Sequence, residues 1–163
     1  MMVLSDRPKG TGMEEPEKVD ILLVEDNPDH AELTIRTLRK GKLANSVLWV
    51  RDGVEALDLL HRQNAYADHT GRPLPGLVLL DVNLPKRSGL EVLSEIKGDP
   101  ALRAVPVVML TTSGREEEVR RSFELGANSF VTKPVRFDEF SEKIQMIEQY
   151  WFLINRLSPR PKA

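Results

Sequence analysis

The chain contains no cysteine. Disulfides, thiolate zinc sites and cysteine nucleophiles are therefore excluded. No apolar run approaches the roughly 18 residues that a membrane helix needs, and residues 1–18 lack the apolar core of a signal peptide. An excess of one charge is also missing. Against 25 Asp and Glu stand 23 Lys and Arg, a formal net charge of −2, so no basic field recommends nucleic acid as a partner. Histidine is sparse, at His30, His61 and His69. These absences predict a cytoplasmic protein with no membrane or nucleic-acid partner. What is present is ordinary: 40% apolar and 29% charged residues in a chain of 163, enough for one domain with tails.

Residues 1–18 are rich in Pro, Gly, Lys and Glu without periodicity, and read as a disordered tail. From Val19 the pattern becomes regular. Apolar runs at 19–24, 46–50, 76–81, 105–111 and 128–132 read as strands. Helical patterns follow each, from Asn27-Pro28 to a cap at Gly41, from Asp52 to Leu60, from Ser88, from Ser113 to Leu125 and from Arg136 onward. The connection 61–75 has no clear period. Strands alternating with helices five times predict an α/β fold. At this length it is a flavodoxin-like, doubly wound (βα)5 sandwich with a parallel five-stranded sheet of order 2-1-3-4-5. The domain is expected over 19–157, with a short tail over 158–163.

The first strand ends on adjacent carboxylates, Glu25 and Asp26. Like charges repel, and desolvating them is costly without a compensating cation. Ligands of open α/β sheets bind at the carboxyl ends of the strands. There the sequence places Glu25 and Asp26, Asp81, Thr111 and, after the fifth strand, Lys133. Any one of these residues alone is an ordinary turn, cap or surface residue. Their convergence at one sheet edge is not. Clustered carboxylates without Cys favour a hard cation bound through oxygen, and Mg²⁺ leaves positions for a phosphate. Of the histidines only His30 falls near this edge, and it is expected to be a surface residue.

The motifs VED at 24–26, LLDVNLP at 79–85, LTTS at 110–113 and FVTKP at 130–134, in this order on this frame, resemble the receiver domain of bacterial two-component response regulators. The resemblance spans about Val19 to Tyr150. It implies that Asp81 is the phosphoacceptor for a sensor histidine kinase. It also implies that Asp26, Asp81 and the backbone carbonyl of Asn83 bind Mg²⁺, with Mn²⁺ a substitute and Glu25 acting through water. Lys133 and Thr111 would bind the phosphoryl group. Thr111 and Phe130 would form the switch, although Phe130 has no hydroxyl where many relatives carry Tyr. Asn83 and Ser113 would tune dephosphorylation, and the Lys133-Pro134 peptide would be cis. The chain would be a phosphoprotein rather than an enzyme acting on external substrates.

Beyond the matched region only a helix end and SPRPKA remain, so the expected output is a protein contact. On the last helix Phe137, Phe140, Ile144, Ile147, Trp151 and Ile154 form a stripe suited to the sheet. Met146, Tyr150, Leu153 and Leu157 form a second. These four, with Trp151, are the candidate interface of a homodimer built from the fourth helix, fifth strand and last helix. The 61–75 connection, DVNLPKRSGLEVL and IEQYWF further resemble stand-alone regulators paired with phytochrome-type histidine kinases. A haloacid dehalogenase phosphatase would need an acid at Asn83, and a flavodoxin would need a neutral first loop in place of EDNPDH. The remaining alternative is a pseudo-receiver that binds partners without phosphorylation.

Overall fold

The computed structural model describes residues 2–5, 19–43, 46–112 and 114–154. Five strands run parallel: β2 (Ile21–Val24), β3 (Ser46–Val50), β4 (Leu77–Asp81), β5 (Val107–Thr111) and β6 (Ser129–Thr132). Their spatial order, β3-β2-β4-β5-β6, is the expected 2-1-3-4-5. The sheet gains a sixth strand, β1 (Met2–Ser5), which pairs antiparallel with the β3 edge, Met2 opposite Trp49 and Ser5 opposite Ser46. The tail expected over 1–18 is thus corrected at these four residues. MVLS is a short apolar segment ahead of a Pro- and Gly-rich one, and an open edge offers unpaired backbone groups for it to meet.

Side chains alternate across the central strands as the two-residue period requires. Leu22, Val24, Leu48, Val50, Val78, Leu80, Val107 and Met109 face a core completed by α2 (Gly53–His61) and α3 (Gly89–Gly98). Ile21, Leu23, Val47, Trp49, Leu77, Leu79, Val108 and Leu110 face α1 (Pro28–Gly41) and α5 (Phe137–Gln149). Burial on both faces is why these strands read as unbroken apolar runs rather than alternating ones. The remaining α-helix among the described residues is α4 (Glu116–Glu124), which starts later than expected, and a 3-10 helix over Asn64–His69 lies in the connection after α2. Ser113 and Leu157 lie outside the described residues. No helix among those described is long and apolar enough to cross a membrane.

Local chemistry sets the helix starts. Asn27 Oδ1 accepts from the Asp29 and His30 amides at 2.9 and 3.3 Å, and Pro28 occupies the first turn, where no amide is needed. Asp52 and Ser88 cap α2 and α3 in the same way. The end of α1 departs from expectation: Lys42, not Gly41, takes the left-handed conformation, at φ 60°. Gly41 serves packing instead, since a Cβ there would lie 1.9 Å from Glu148 Oε1 of α5.

Two expectations for the last helix are corrected. Phe137 is 65% exposed rather than against the sheet, because it stands at the first residue of α5, before the stripe engages. Trp151, expected at the interface, is buried. It extends the stripe of Phe140, Ile144 and Ile147 by four residues, and a wider π-type turn over Tyr150–Ile154 carries it onto the same core.

Candidate functional site

Four strand ends bring the polar residues together. Glu25 and Asp26 follow β2, Asp81 ends β4, Thr111 ends β5 and Lys133 follows β6. The Lys133 amide donates to the Thr111 carbonyl at 2.7 Å, which continues the β5–β6 ladder and aims the lysine back across the sheet edge. Its ammonium donates to Asp81 Oδ2 at 3.0 Å and to Glu25 Oε1. Asp81 Oδ1 accepts from the Asn83 amide at 3.1 Å. Glu25 Oε2 accepts from the Asn27 amide at 3.3 Å, and the Glu25 carbonyl accepts from the Trp49 indole N–H at 2.7 Å. Glu25, Asp81, Thr111 and Lys133 are buried, and Asp26 is exposed at the mouth.

The loop carrying Asp81 is held by close backbone approaches. The Gly89 amide donates to the Val82 carbonyl at 2.8 Å, and a Cβ on Gly89 would sit 2.0 Å from the Asp81 carbonyl oxygen. Only glycine lets α3 start this close to the strand end. Gly53 plays the same part against the Arg87 carbonyl, where a Cβ would approach to 2.2 Å.

Electrostatically the site is short of positive charge. Oxygen atoms of Glu25, Asp26 and Asp81 all lie within 4.8 Å of one another, and Lys133 is the ammonium that meets Glu25 and Asp81. Desolvation pushes the Glu25 carboxyl up to about 7, reinforced by its hydrogen bond to Asp81 and opposed by Lys133. An all-oxygen donor set, two members of it buried, fits a hard divalent cation. Asp26, exposed beside the two buried acids, is open to a cation arriving from solvent.

His30 corrects the expectation of a surface residue. It lies one turn into α1 and its side chain is 28% exposed. Its Nδ1 stands 3.3 Å from Lys133 Nζ and 3.8 Å from Glu25 Oε1. Its ring faces Phe140 of α5, with centroids 6.0 Å apart and planes at 44°. Desolvation, then the Lys133 charge, holds its pKa below the usual value. The sequence signal was its spacing, four residues after Asp26, which alone does not separate an inward histidine from an outward one.

The Lys133-Pro134 peptide is corrected as well. There is no cis peptide among the described residues. An X–Pro bond prefers trans by about 0.5–1 kcal/mol, and the lysine already reaches both acids in that form. Phe130 is partly buried against the first core, on the same β5–β6 pair as Thr111. Asn83 is exposed. Met146 and Leu153 are 66% and 68% exposed, and Tyr150 is also exposed.

The profile of the response regulator receiver domain matches residues 21–145. The chain is 42% identical over 152 residues to the probable methanogenesis regulatory protein FilR2 of Methanothrix harundinacea, covering 93% of this chain and 95% of that one. It is 41% identical over 136 residues to response regulator Rcp1 of Synechocystis, covering 83% and 90%. Among solved structures, the Mn²⁺-bound form of Rcp1 superposes with a TM-score of 0.81 at 39% identity, covering 88% of this chain and all of that one. The phosphorylated cyanobacterial phytochrome response regulator RcpA gives the same TM-score and coverage at 37% identity.

Proposed function

The chain belongs to the response regulator receiver domain family, and from that premise we propose that it is a phosphorylation-driven switch whose acceptor is Asp81. One observation carries the assignment: Asp81 is the clustered acid that is itself the last residue of a central strand, β4, with one carboxylate oxygen on Lys133 and the other on the Asn83 amide, whereas Glu25 makes its matching pair of contacts from beyond the end of β2. That arrangement fixes the carboxylate at the floor of the cleft.

In the reaction, an Asp81 oxygen forms a bond to phosphorus as the bond from phosphorus to the donor's imidazole nitrogen breaks. Lys133, already 3.0 Å from Asp81, pairs with an incoming phosphoryl oxygen. Thr111, at the end of the neighbouring strand, donates its hydroxyl to another. Asp26, Asp81 and the Asn83 carbonyl would hold Mg²⁺, with Mn²⁺ as substitute and Glu25 reaching it through water. The ion supplies neutralising charge to the phosphoryl oxygens, the larger share of catalysis in a loose transition state. Thr111 then moves toward the phosphoryl group and Phe130 turns into the space released. Asn83 and Ser113, two residues past Asp81 and Thr111 in the sequence, would tune attack by water. Metal dependence tests this reading. With acetyl phosphate and Mg²⁺ the intact mass gains one phosphoryl group, and a chelator prevents the gain; uptake unaffected by chelator would reject the metal's role.

The phosphodonor is proposed to be a sensor histidine kinase of phytochrome type, in the cytoplasm, on the strength of the likeness to Rcp1 and RcpA. The output is proposed to be a homodimer through α4, β6 and α5. Met146, Tyr150 and Leu153 support it, standing exposed on one side of the last helix and its final turn. Trp151 is a core residue, so truncating the helix would damage the fold. The sharper test is the double substitution Met146→Ser with Leu153→Ser. After phosphorylation, light scattering should give the mass of one chain for the double variant where the parent gives two, at an unchanged melting temperature. A dimer that survives both changes would remove this face from the interface.

A further inference from the structure

Resting on the receiver reading, we propose that His30 is a positioning residue for Lys133. Its imidazole accepts a proton of the ammonium through Nδ1 and holds that ammonium in place for the phosphoryl group on Asp81. The argument begins with the donor count. A lysine ammonium has three N–H donors and no acceptor. Glu25, Asp81 and His30 Nδ1 are the partners the structure places around them, with Asp81 at 3.0 Å and His30 at 3.3 Å. The ammonium is therefore held from three sides.

Because lysine can only donate, Nδ1 must be the bare nitrogen, and the ring proton sits on Nε2. The acceptor is neutral. A carboxylate at this position would add a fourth anion beside Glu25, Asp26 and Asp81, and a lysine or arginine would repel Lys133. An aliphatic residue would leave one ammonium proton without its partner. Imidazole meets all three requirements at this reach from α1. The ring is itself packed, since its centroid lies 6.0 Å from that of Phe140, a buried residue of α5, with the planes tilted by 44°. His30 thus ties α1, the loop after β6 and α5 together at the ammonium.

When Asp81 carries a phosphoryl group, one N–H must turn from the Asp81 carboxylate to a phosphoryl oxygen. The contacts to Glu25 and His30 persist and limit the turn to that one donor. Loss of the His30 contact frees the ammonium to swing, and the phosphoryl group is bound less tightly.

The test uses the full chain, Mg²⁺ and beryllofluoride as the phosphoryl mimic, with affinity read by calorimetry. His30→Asn places an acceptor oxygen near the site of Nδ1. His30→Phe keeps an aromatic ring against Phe140 and has no acceptor. The Phe variant should bind about five- to tenfold more weakly than the parent, less than a fully buried hydrogen bond to a charged group would give. The Asn variant should stay within about twofold of the parent, since it restores that hydrogen bond. Phe binding as tightly as the parent, or Asn as weak as Phe, overturns the proposal. A parent chain that binds no beryllofluoride in Mg²⁺ overturns the receiver reading itself, and the two failures are thereby distinct.

Discussion

Asp81→Asn should accept no phosphoryl group from any donor while folding at least as well as the parent. The amide is nearly isosteric and keeps an oxygen for Lys133, now 3.0 Å from Asp81 Oδ2. It is not a nucleophile, so uptake falls to background. The stability direction follows from charge. Asp81 raises the Glu25 carboxyl through a hydrogen bond and through repulsion. Removing it relieves that repulsion, worth about 1 kcal/mol, the scale of one pKa unit. In chelator the denaturant midpoint of Asp81→Asn should therefore match or exceed the parent's. Affinity for Mg²⁺, read by calorimetry, should fall, since one of the two directly ligating carboxylates is gone. A folded Asp81→Asn that still gains mass with acetyl phosphate would move the acceptor elsewhere.

Lys133→Ala should show the opposite profile. The side chain is buried, and it is the cation that meets Glu25 and Asp81. Breaking a buried pair by removing one partner leaves uncompensated charge and costs about 3–5 kcal/mol. In chelator the variant should be destabilised by that order. Mg²⁺ should restore much of the loss, because the metal supplies the missing positive charge, and a denaturation series with and without Mg²⁺ reads this directly. Phosphoryl uptake should persist, since the nucleophile and its metal ligands are intact. The change in self-association on phosphorylation should be lost, because nothing then pulls the loop after β6 toward the acceptor. Equal destabilisation with and without Mg²⁺ would contradict the charge argument.

Much of this is legible in the amino-acid sequence. Strands buried on both faces leave unbroken apolar runs such as ILLV and LVLL, and helices between them force a parallel, doubly wound sheet. Once the sheet is parallel, its carboxyl edge is determined, and Glu25, Asp26, Asp81, Thr111 and Lys133 meet there by topology alone. What stayed hidden depends on orientation or on weak local signal. Met2–Ser5 is too short to stand out from its surroundings, and it becomes a strand only because β3 offers an open edge. His30 looks like any helical histidine until Lys133, far away in sequence, reaches its Nδ1. Gly41 has the composition of a cap, but the buried Glu148 makes it a packing glycine. Trp151 falls in register with Ile147, so its burial follows from the stripe the sequence shows, and it is its place at the interface that fails.

The most direct test of the account is to locate the phosphoryl group. The chain is incubated with acetyl phosphate and Mg²⁺, treated with borohydride, which reduces an acyl phosphate to an alcohol, and mapped by peptide mass spectrometry. Homoserine at position 81, and none there when the chelator is present, is the predicted result. Homoserine at position 26, or none at any position in a chain that binds Mg²⁺, would contradict the assignment of Asp81 as acceptor.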